Sequence, residues 1–222
     1  VYFKPKDIVS GDFYWFSRRE STNTTIIAAV ECTGHGVPGA FMSMIGNTLL
    51  NEIALNEEID TPAKMLFELR KAVIEALQQS GQGDNKEGMD IALCMIEHDD
   101  QKIQYAGAYN GLYMMRGEEL ITAKADRMPI GSYHDRDEVP FTNHEFEIED
   151  GDRFYIFSDG FIDQFGGADE KKFSAKKFKA LVSKMSAYPM EKQNAILEKT
   201  MEQWKKETDQ LDDMLIIGFE VI

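Results

Sequence analysis

The pattern of apolar and polar positions predicts strands and helices that come in separate runs along the chain. Period-two and continuous apolar stretches predict strands over residues 10–18, 24–31, 89–97, 102–108, 112–115, 120–123, 141–148, 153–158 and 214–222. Spacings of three and four predict helices over about 38–55, 60–77, 174–185 and 189–206. Polar segments at 19–23 and 81–88 are expected to be a turn and a loop.

The first two predicted helices have well-marked apolar faces. The face of the first consists of residues four apart, namely Phe41, Ile45, Leu49 and Ile53. The second begins at a capping residue followed by proline, Thr61-Pro62, and its face consists of Met65, Leu66, Leu69, Val73 and Leu77. Because strands and helices come in runs and do not alternate, the sequence predicts an α+β fold. We expect two packed antiparallel sheets with helix pairs on their outer faces, in one domain spanning residues 1–222.

Composition narrows the classes of partner. The chain has 222 residues with 39 acids against 24 basic residues, a formal charge of −15, which argues against binding nucleic-acid phosphates or an anionic membrane surface. Cys32 and Cys94 are too few for a disulfide framework, so we expect a reducing, cytoplasmic compartment and a packing role for both. No apolar run approaches the length of a membrane span.

Acidic residues stand where apolar strands begin or end. Asp12 precedes the apolar run 13–16, Glu31 ends the run 26–30, and Asp159 ends the run 154–157. Asp212 and Asp213 precede the last strand. Each acid taken alone is better explained by a solvated turn or a helix cap. Strand ends from two packed sheets can meet at one rim, however, where clustered carboxylates repel unless cations neutralise them.

Oxygen ligands without nearby histidine or cysteine pairs are typical of Mg²⁺ or Mn²⁺ sites. From the residues alone, a hydrolytic site with two metal ions is therefore one hypothesis beside the solvated turns. His35, flanked by Gly34 and Gly36, fits either a general acid or phosphate contact, or a turn residue bonded to the backbone.

Five ordered motifs resemble those of SpoIIE-like bacterial phosphatases, which belong to the metal-dependent PPM class of serine/threonine protein phosphatases. The motifs are SGDFYW at 10–15, CTGHGVPGA at 32–40, GMDIA at 88–92, SDG at 158–160 and DDM at 212–214. The resemblance covers essentially the whole chain. It implies an α-β-β-α sandwich and hydrolysis of phosphoserine or phosphothreonine by water activated between two Mn²⁺ or Mg²⁺ ions.

The resemblance also implies roles for individual residues. Asp12 would bind one metal, Glu31 falls at the position of a bridging aspartate, and the Cys32 carbonyl would be the adjacent backbone ligand. Asp159 and Asp212 would hold the second metal. The remaining candidates are Asp213, as a weaker and more supportive metal residue, and Gly34 with His35 as contacts to the substrate.

The resemblance further implies partners. The substrate would be a phosphoprotein such as an anti-sigma-factor antagonist, and the chain would be the C-terminal output part of a longer signalling protein with an N-terminal sensor. No nucleic acid or membrane contact is expected, and a homodimer is one option for its assembly.

Glu31 departs from the family pattern, which has aspartate at this position. Glutamate keeps the charge but adds a methylene, and the geometry of a two-metal site is sensitive to such a shift. Two hypotheses follow: an active phosphatase whose activity Glu31 reduces or leaves intact, and a degenerate phosphatase fold with a weakened metal site that acts as a regulatory binding module. A third hypothesis is another two-metal phosphohydrolase that acts on small phosphoesters.

Overall fold

The structure is a computed structural model that describes residues 1–34, 36–79, 87–133 and 137–221. Its strands are β1 Tyr2–Lys4, β2 Phe13–Arg19, β3 Thr24–Cys32, β4 Met89–Glu97, β5 Lys102–Ala108, β6 Leu112–Arg116, β7 Glu119–Ala123, β8 His144–Glu147, β9 Arg153–Phe157, β10 Phe165–Gly166, β11 Lys171–Lys172 and β12 Met214–Glu220. Its helices are α1 Gly36–Ala54, α2 Pro62–Ala76, α3 Gly160–Asp163, α4 Ala175–Met185 and α5 Met190–Lys205.

Two five-stranded antiparallel sheets form the centre of the molecule. The first sheet has the strand order β2-β3-β4-β5-β8, and the second has the order β1-β12-β9-β6-β7. Apolar residues from both sheets, including Ala92, Tyr105, Phe154 and Leu215, form a buried layer between them. Helices α1 and α2 pack on the outer face of the first sheet, and α4 and α5 on that of the second. The predicted α-β-β-α sandwich is confirmed.

The apolar face of α2 agrees with the prediction, whereas that of α1 is displaced by one residue. Met65, Leu66, Leu69 and Val73 of α2 are fully buried. In α1 the buried large residues are Met42 and Leu50, and Phe41 is exposed. Two glycines explain the displacement, because Gly39 and Gly46 lie on the buried face and bring the α1 backbone close to its neighbours.

The predicted turn at 19–23 begins one residue too early. Arg19 is the last residue of β2 and is buried, and its guanidinium donates hydrogen bonds to the carbonyl oxygens of Ala54, Asn56 and Ile59. The Ala54 carbonyl lies in the last turn of α1 and the other two follow the helix, where backbone acceptors lack helical partners. Arg19 therefore ties the C-terminal end of α1 to the first sheet.

Several boundaries and short elements also differ from the prediction. Strand β2 begins at Phe13, not at residue 10, and β8 covers only His144–Glu147 of the predicted 141–148. The short elements α3, β10 and β11 were not predicted, because four residues or fewer carry no measurable periodicity. Most of the predicted 81–88 loop lies outside the described residues. None of the described helices combines the length and apolarity needed to cross a lipid bilayer.

Candidate active site

The antiparallel topology brings the predicted acids to one rim of the sandwich. Glu31 and Asp90 are cross-strand partners at neighbouring ends of β3 and β4. Asp12 immediately precedes β2, which pairs with β3. On the second sheet, Asp159 follows β9 and Asp213 precedes β12, and these two strands are paired. Both sheets therefore contribute acids to a shared edge.

Glu31 lies between the two sheets at this rim. Its Oε2 accepts hydrogen bonds from the backbone N–H of Asp159 at 3.1 Å and from Asn110 Nδ2 at 3.2 Å. Burial raises the pKa of Glu31 well above its ordinary value, and the charges of Asp159, Asp12 and Asp90 raise it further. The protein therefore holds this carboxylate where ionisation is unfavourable without a nearby cation.

Asp12 is buried at the inner end of the site, with 4% of its surface exposed. Its backbone N–H donates to Ser10 Oγ at 3.0 Å. Burial raises the pKa of Asp12 to about 7, although a hydrogen bond with the Ser158 side chain lowers it, and the charges of Asp213, Asp212 and Asp159 add to the rise. Its Oδ2 is buried and has no hydrogen-bond partner among the described residues. A buried carboxylate oxygen of this kind is costly unless something binds it.

Asp213 holds the backbone that carries Asp12. Its Oδ1 accepts the N–H of Lys6 at 2.7 Å, and its Oδ2 accepts the N–H of Gly11 at 2.8 Å and of Asp12 at 3.4 Å. The residue is buried, with 2% exposure. Both oxygens are therefore already engaged with backbone donors.

Asp159 and Asp212 lie on the solvent side of the rim and are exposed. The strand ends that carry them are joined by Ser158, whose N–H donates to the Leu215 carbonyl and whose Oγ accepts the Leu215 N–H. Gly160 follows directly, and a side chain there would overlap the carbonyl oxygen of Asp213. The close approach of these two backbones fixes Asp159 beside Asp212.

Glycines allow the loop after β3 to pack against the segment that carries Asp12. A Cβ at Gly11 would lie 2.5 Å from the Gly34 carbonyl oxygen and 3.4 Å from that of Cys32, and one at Gly39 would also overlap Gly34. Gly34 itself has a φ of +84°, a conformation that favours glycine. The Cys32 carbonyl therefore lies next to Gly11, the residue that precedes Asp12. His35, the other predicted substrate contact, lies outside the described residues.

Two residues of the rim were missed by the sequence analysis. Asp90 faces Glu31 across the strand pair, and burial together with the Asp159 charge raises its pKa to about 7. Its signal was present, since it is an acid inside the apolar run 89–96. Asn110 carried no such signal, because an asparagine beside Gly111 looks like an ordinary turn residue.

The donor chemistry of the rim fits a hard divalent cation. The acids and the Cys32 carbonyl supply oxygen atoms only, and burial raises the pKa of the Cys32 thiol so that it stays protonated. The buried Oδ2 of Asp12, which has no hydrogen-bond partner among the described residues, is a donor that a cation could satisfy. Among the described residues, no three acid, histidine or cysteine side chains converge tightly enough to form a finished metal site. The rim therefore matches a divalent cation in the chemistry of its donors and in their shared location, and not in a completed coordination geometry.

Comparisons with known proteins agree with this geometry. The sequence model of the stage II sporulation protein E (SpoIIE) family matches residues 21–222. The SiaA-PP2C domain of Pseudomonas aeruginosa superposes with a TM-score of 0.89 at 29% identity, over 99% of this chain and 84% of that one. A comparison with curated proteins found no match.

Two more distant structures share the fold. The phosphatase domain of SpoIIE from Bacillus subtilis, solved with a fragment of its regulatory domain, has a TM-score of 0.77 at 17% identity, over 99% of this chain and 61% of that one. RsbX in complex with magnesium has a TM-score of 0.66 at 14% identity, over 98% and 91%. The fold is that of PP2C-type phosphatases, and homology supports a phosphatase hydrolase. Because the family model covers nearly the whole sequence, the chain belongs to the SpoIIE family.

Proposed function

We propose that this chain is a metal-dependent protein phosphatase that hydrolyses phosphoserine or phosphothreonine on a regulatory protein. The observation that carries the proposal is the gathering of acids from both sheets around Asp12, whose buried Oδ2 lacks a partner among the described residues. Membership of a phosphatase family favours this enzyme over a non-catalytic binding module.

The oxygen donors of the rim would hold two Mn²⁺ or Mg²⁺ ions. These donors come from Asp12, Glu31, the Cys32 carbonyl, Asp159, Asp212 and, as the weaker candidate, Asp213. When bound, such ions lower the pKa of a water molecule and offset the negative charge on phosphoryl oxygens. The magnesium complex of RsbX, a protein of the same fold, is consistent with the choice of cation.

The protein itself supplies orientation and access. Asp213 fixes the backbone on which Asp12 lies, and Ser158 fixes the strand end that carries Asp159. Exposure increases from Asp12 at the bottom of the site to Asp159 and Asp212 at the surface. A phosphorylated side chain would therefore approach from the exposed side. We place Gly34 and His35 among the substrate contacts on the basis of the family motif.

The proposed partners are a phosphorylated regulatory protein as substrate and a sensor domain in the same polypeptide. We take residues 1–222 as one phosphatase domain, acting in the cytoplasm on a phosphorylated anti-sigma-factor antagonist or a similar regulator. The SpoIIE phosphatase domain of Bacillus subtilis was solved with part of a regulatory domain, and this chain covers 61% of that one. An N-terminal sensor domain in the full-length protein is the corresponding proposal here, with a homodimer as its assembly.

The test is phosphate release from phosphoserine and phosphothreonine proteins by the purified chain. After treatment with EDTA we expect no release, and after addition of Mn²⁺ we expect multiple turnovers. Asp159→Asn is expected to lower the rate by at least about 10–100-fold, because removing a charged ligand should cost no less than removing a residue that orients one. Asp169→Asn is the matched control, since this exposed acid pairs with Lys171 and not with the rim.

Two outcomes would contradict the proposal. If no phosphoprotein is dephosphorylated at any Mn²⁺ or Mg²⁺ concentration, the chain is not a phosphatase of this class. If a generic aryl phosphate is hydrolysed as efficiently as the best phosphoprotein, the enzyme is not specific for proteins.

A further inference from the structure

Asn110 contacts the central acid of the site without being an acid itself. It lies between β5 and β6, is 7% exposed, and donates from Nδ2 to Glu31 Oε2 at 3.2 Å. The backbone N–H of Asp159 donates to the same oxygen at 3.1 Å. Two donors from separate segments therefore fix one oxygen of the Glu31 carboxylate.

The position of Asn110 is set by its own backbone. Its carbonyl oxygen accepts the buried Tyr105 hydroxyl at 2.6 Å, and burial raises the pKa of Tyr105, so the hydroxyl stays a donor. Tyr109 adopts a φ of +58°, and a side chain at Gly107 would overlap both the Tyr105 hydroxyl and the Asn110 carbonyl. The turn is therefore built around this hydrogen bond independently of Glu31.

A second segment supports the turn from behind. The Asp126 N–H donates to the Gly107 carbonyl, and the Asp126 carbonyl accepts the Tyr109 N–H, both at 2.9 Å. The Asp126 carboxylate in turn accepts the N–H and the hydroxyl of Thr142 at 2.7 and 3.1 Å. Because Asp126 and Thr142 belong to the connection between β7 and β8, this connection holds the turn in place through contacts that do not involve Glu31.

We propose that Asn110 is a positioning residue for Glu31. It fixes the direction of the carboxylate and thereby accommodates the extra methylene that distinguishes glutamate from aspartate. An aspartate carboxylate would stop about 1.5 Å short, one C–C bond, and would lose the amide. The inference rests on the proposed function, because it concerns how Glu31 is presented to a divalent cation.

The test is the affinity for Mn²⁺, measured by titration calorimetry on protein first treated with EDTA. Partners that orient metal ligands typically change metal affinity by about 10–100-fold when mutated, so we expect Asn110→Ala to weaken Mn²⁺ binding by at least about 10-fold. Asn143→Ala is the matched control. Its amide donates to Gln104 Oε1 at 2.6 Å and not to Glu31, so its affinity should equal that of the wild type.

A double-mutant cycle separates positioning from a general loss of structure. Glu31→Asp should weaken Mn²⁺ binding by itself, and adding Asn110→Ala to it should change the affinity by less than about threefold, because the contact is already lost. Equal effects of Asn110→Ala in both backgrounds would overturn the inference. Melting curves in EDTA check that each variant is folded. If Asn110→Ala does not fold, Tyr105→Phe replaces it, and unchanged affinity in that variant would also overturn the inference.

The failure of this inference differs from that of the proposed function. Unchanged Mn²⁺ binding in a folded Asn110→Ala protein overturns the positioning role alone. A wild-type protein that binds Mn²⁺ tightly and releases no phosphate overturns the phosphatase proposal. The positioning role is then decided by the Mn²⁺ affinity of Asn110→Ala relative to the wild type. A wild-type protein that binds neither Mn²⁺ nor Mg²⁺ overturns both.

Discussion

Asp213→Asn tests whether Asp213 supports the site or ligates within it. The wild-type carboxylate accepts two short backbone hydrogen bonds, from Lys6 N–H at 2.7 Å and from Gly11 N–H at 2.8 Å, one on each oxygen. Asparagine has one acceptor oxygen, so one of these N–H groups would face an NH₂ group. The backbone from Lys6 to Asp12 should then be held less firmly.

The expected loss follows from hydrogen bonds to a charged acceptor. Each contributes about 1.5–3 kcal/mol, and a buried donor left without a partner adds to the cost, so we expect Asp213→Asn to lower the free energy of unfolding by about 2–4 kcal/mol. In a chain of this size 1 kcal/mol corresponds to about 2–4 °C, which gives a decrease in Tm of about 4–16 °C. The measurement is calorimetric unfolding in EDTA at neutral pH.

Asp212→Asn is the control for the change in charge. It also removes one negative charge from the rim, but its single hydrogen bond, accepted by Oδ1 from the Asp213 N–H at 2.9 Å, can be kept by the amide oxygen. We therefore expect little change of Tm in EDTA and a clear loss of Mn²⁺ affinity. If Asp213→Asn were as stable as Asp212→Asn in EDTA and lost Mn²⁺ binding equally, Asp213 would be a ligand and the assignment of support would be wrong.

Three further predictions concern the hydrogen bonds of Arg70, the ionisation of the buried acids, and the close contact between the Gly160 and Asp213 backbones. Arg70→Met removes a buried guanidinium that donates to carbonyls between β7 and β8, and should lower stability by about 2–4 kcal/mol in urea unfolding; a loss under 0.5 kcal/mol would contradict this. The pKa values of Asp12 and Asp90, raised to about 7 by burial, mean that the folded protein binds protons that the unfolded chain releases above pH 4. Stability in EDTA should therefore fall as pH rises from about 4 to 7, and saturating Mn²⁺ should reverse the fall at pH 7; a Tm independent of pH would refute the ionisation argument. Gly160→Ala would overlap the Asp213 carbonyl, so overpacking should cost about 1–3 kcal/mol and reduce phosphate release; an unchanged Tm would show that the backbone moves freely there.

The architecture was predictable because the apolar runs that predict its main strands are long. Nine-residue strands such as Thr24–Cys32 and Met89–Glu97 are almost entirely buried, and their long apolar runs favour strands covered on both faces, as in a sandwich core. The helix α1 shows where this logic fails. Its glycines carry no hydrophobic signal, yet they define the face that packs closest, so Phe41 was assigned to the core and is exposed.

The acids of the site were predictable for a different reason. An ionisable residue in an apolar run is costly wherever the strand is buried, so its presence indicates a purpose other than packing. Asp12, Glu31 and Asp159 were predicted for this reason, and Asp90 meets the same condition. It cannot find Asn110, because a neutral turn residue has no cost at that position until the structure shows what its amide contacts.

The glutamate at position 31 is best understood together with the turn that contacts it. The longer side chain changes the reach of the carboxylate and not its charge, and both donors to Oε2 lie in segments outside β3. A strand that merely tolerated a longer acid would leave that acid mobile at the rim. Here the Tyr105 hydroxyl donates to the Asn110 carbonyl, and under the positioning role proposed for Asn110 the turn matches the length of glutamate. Restoring aspartate at position 31 should therefore weaken Mn²⁺ binding, and a gain in affinity would show that the turn and the glutamate are unrelated.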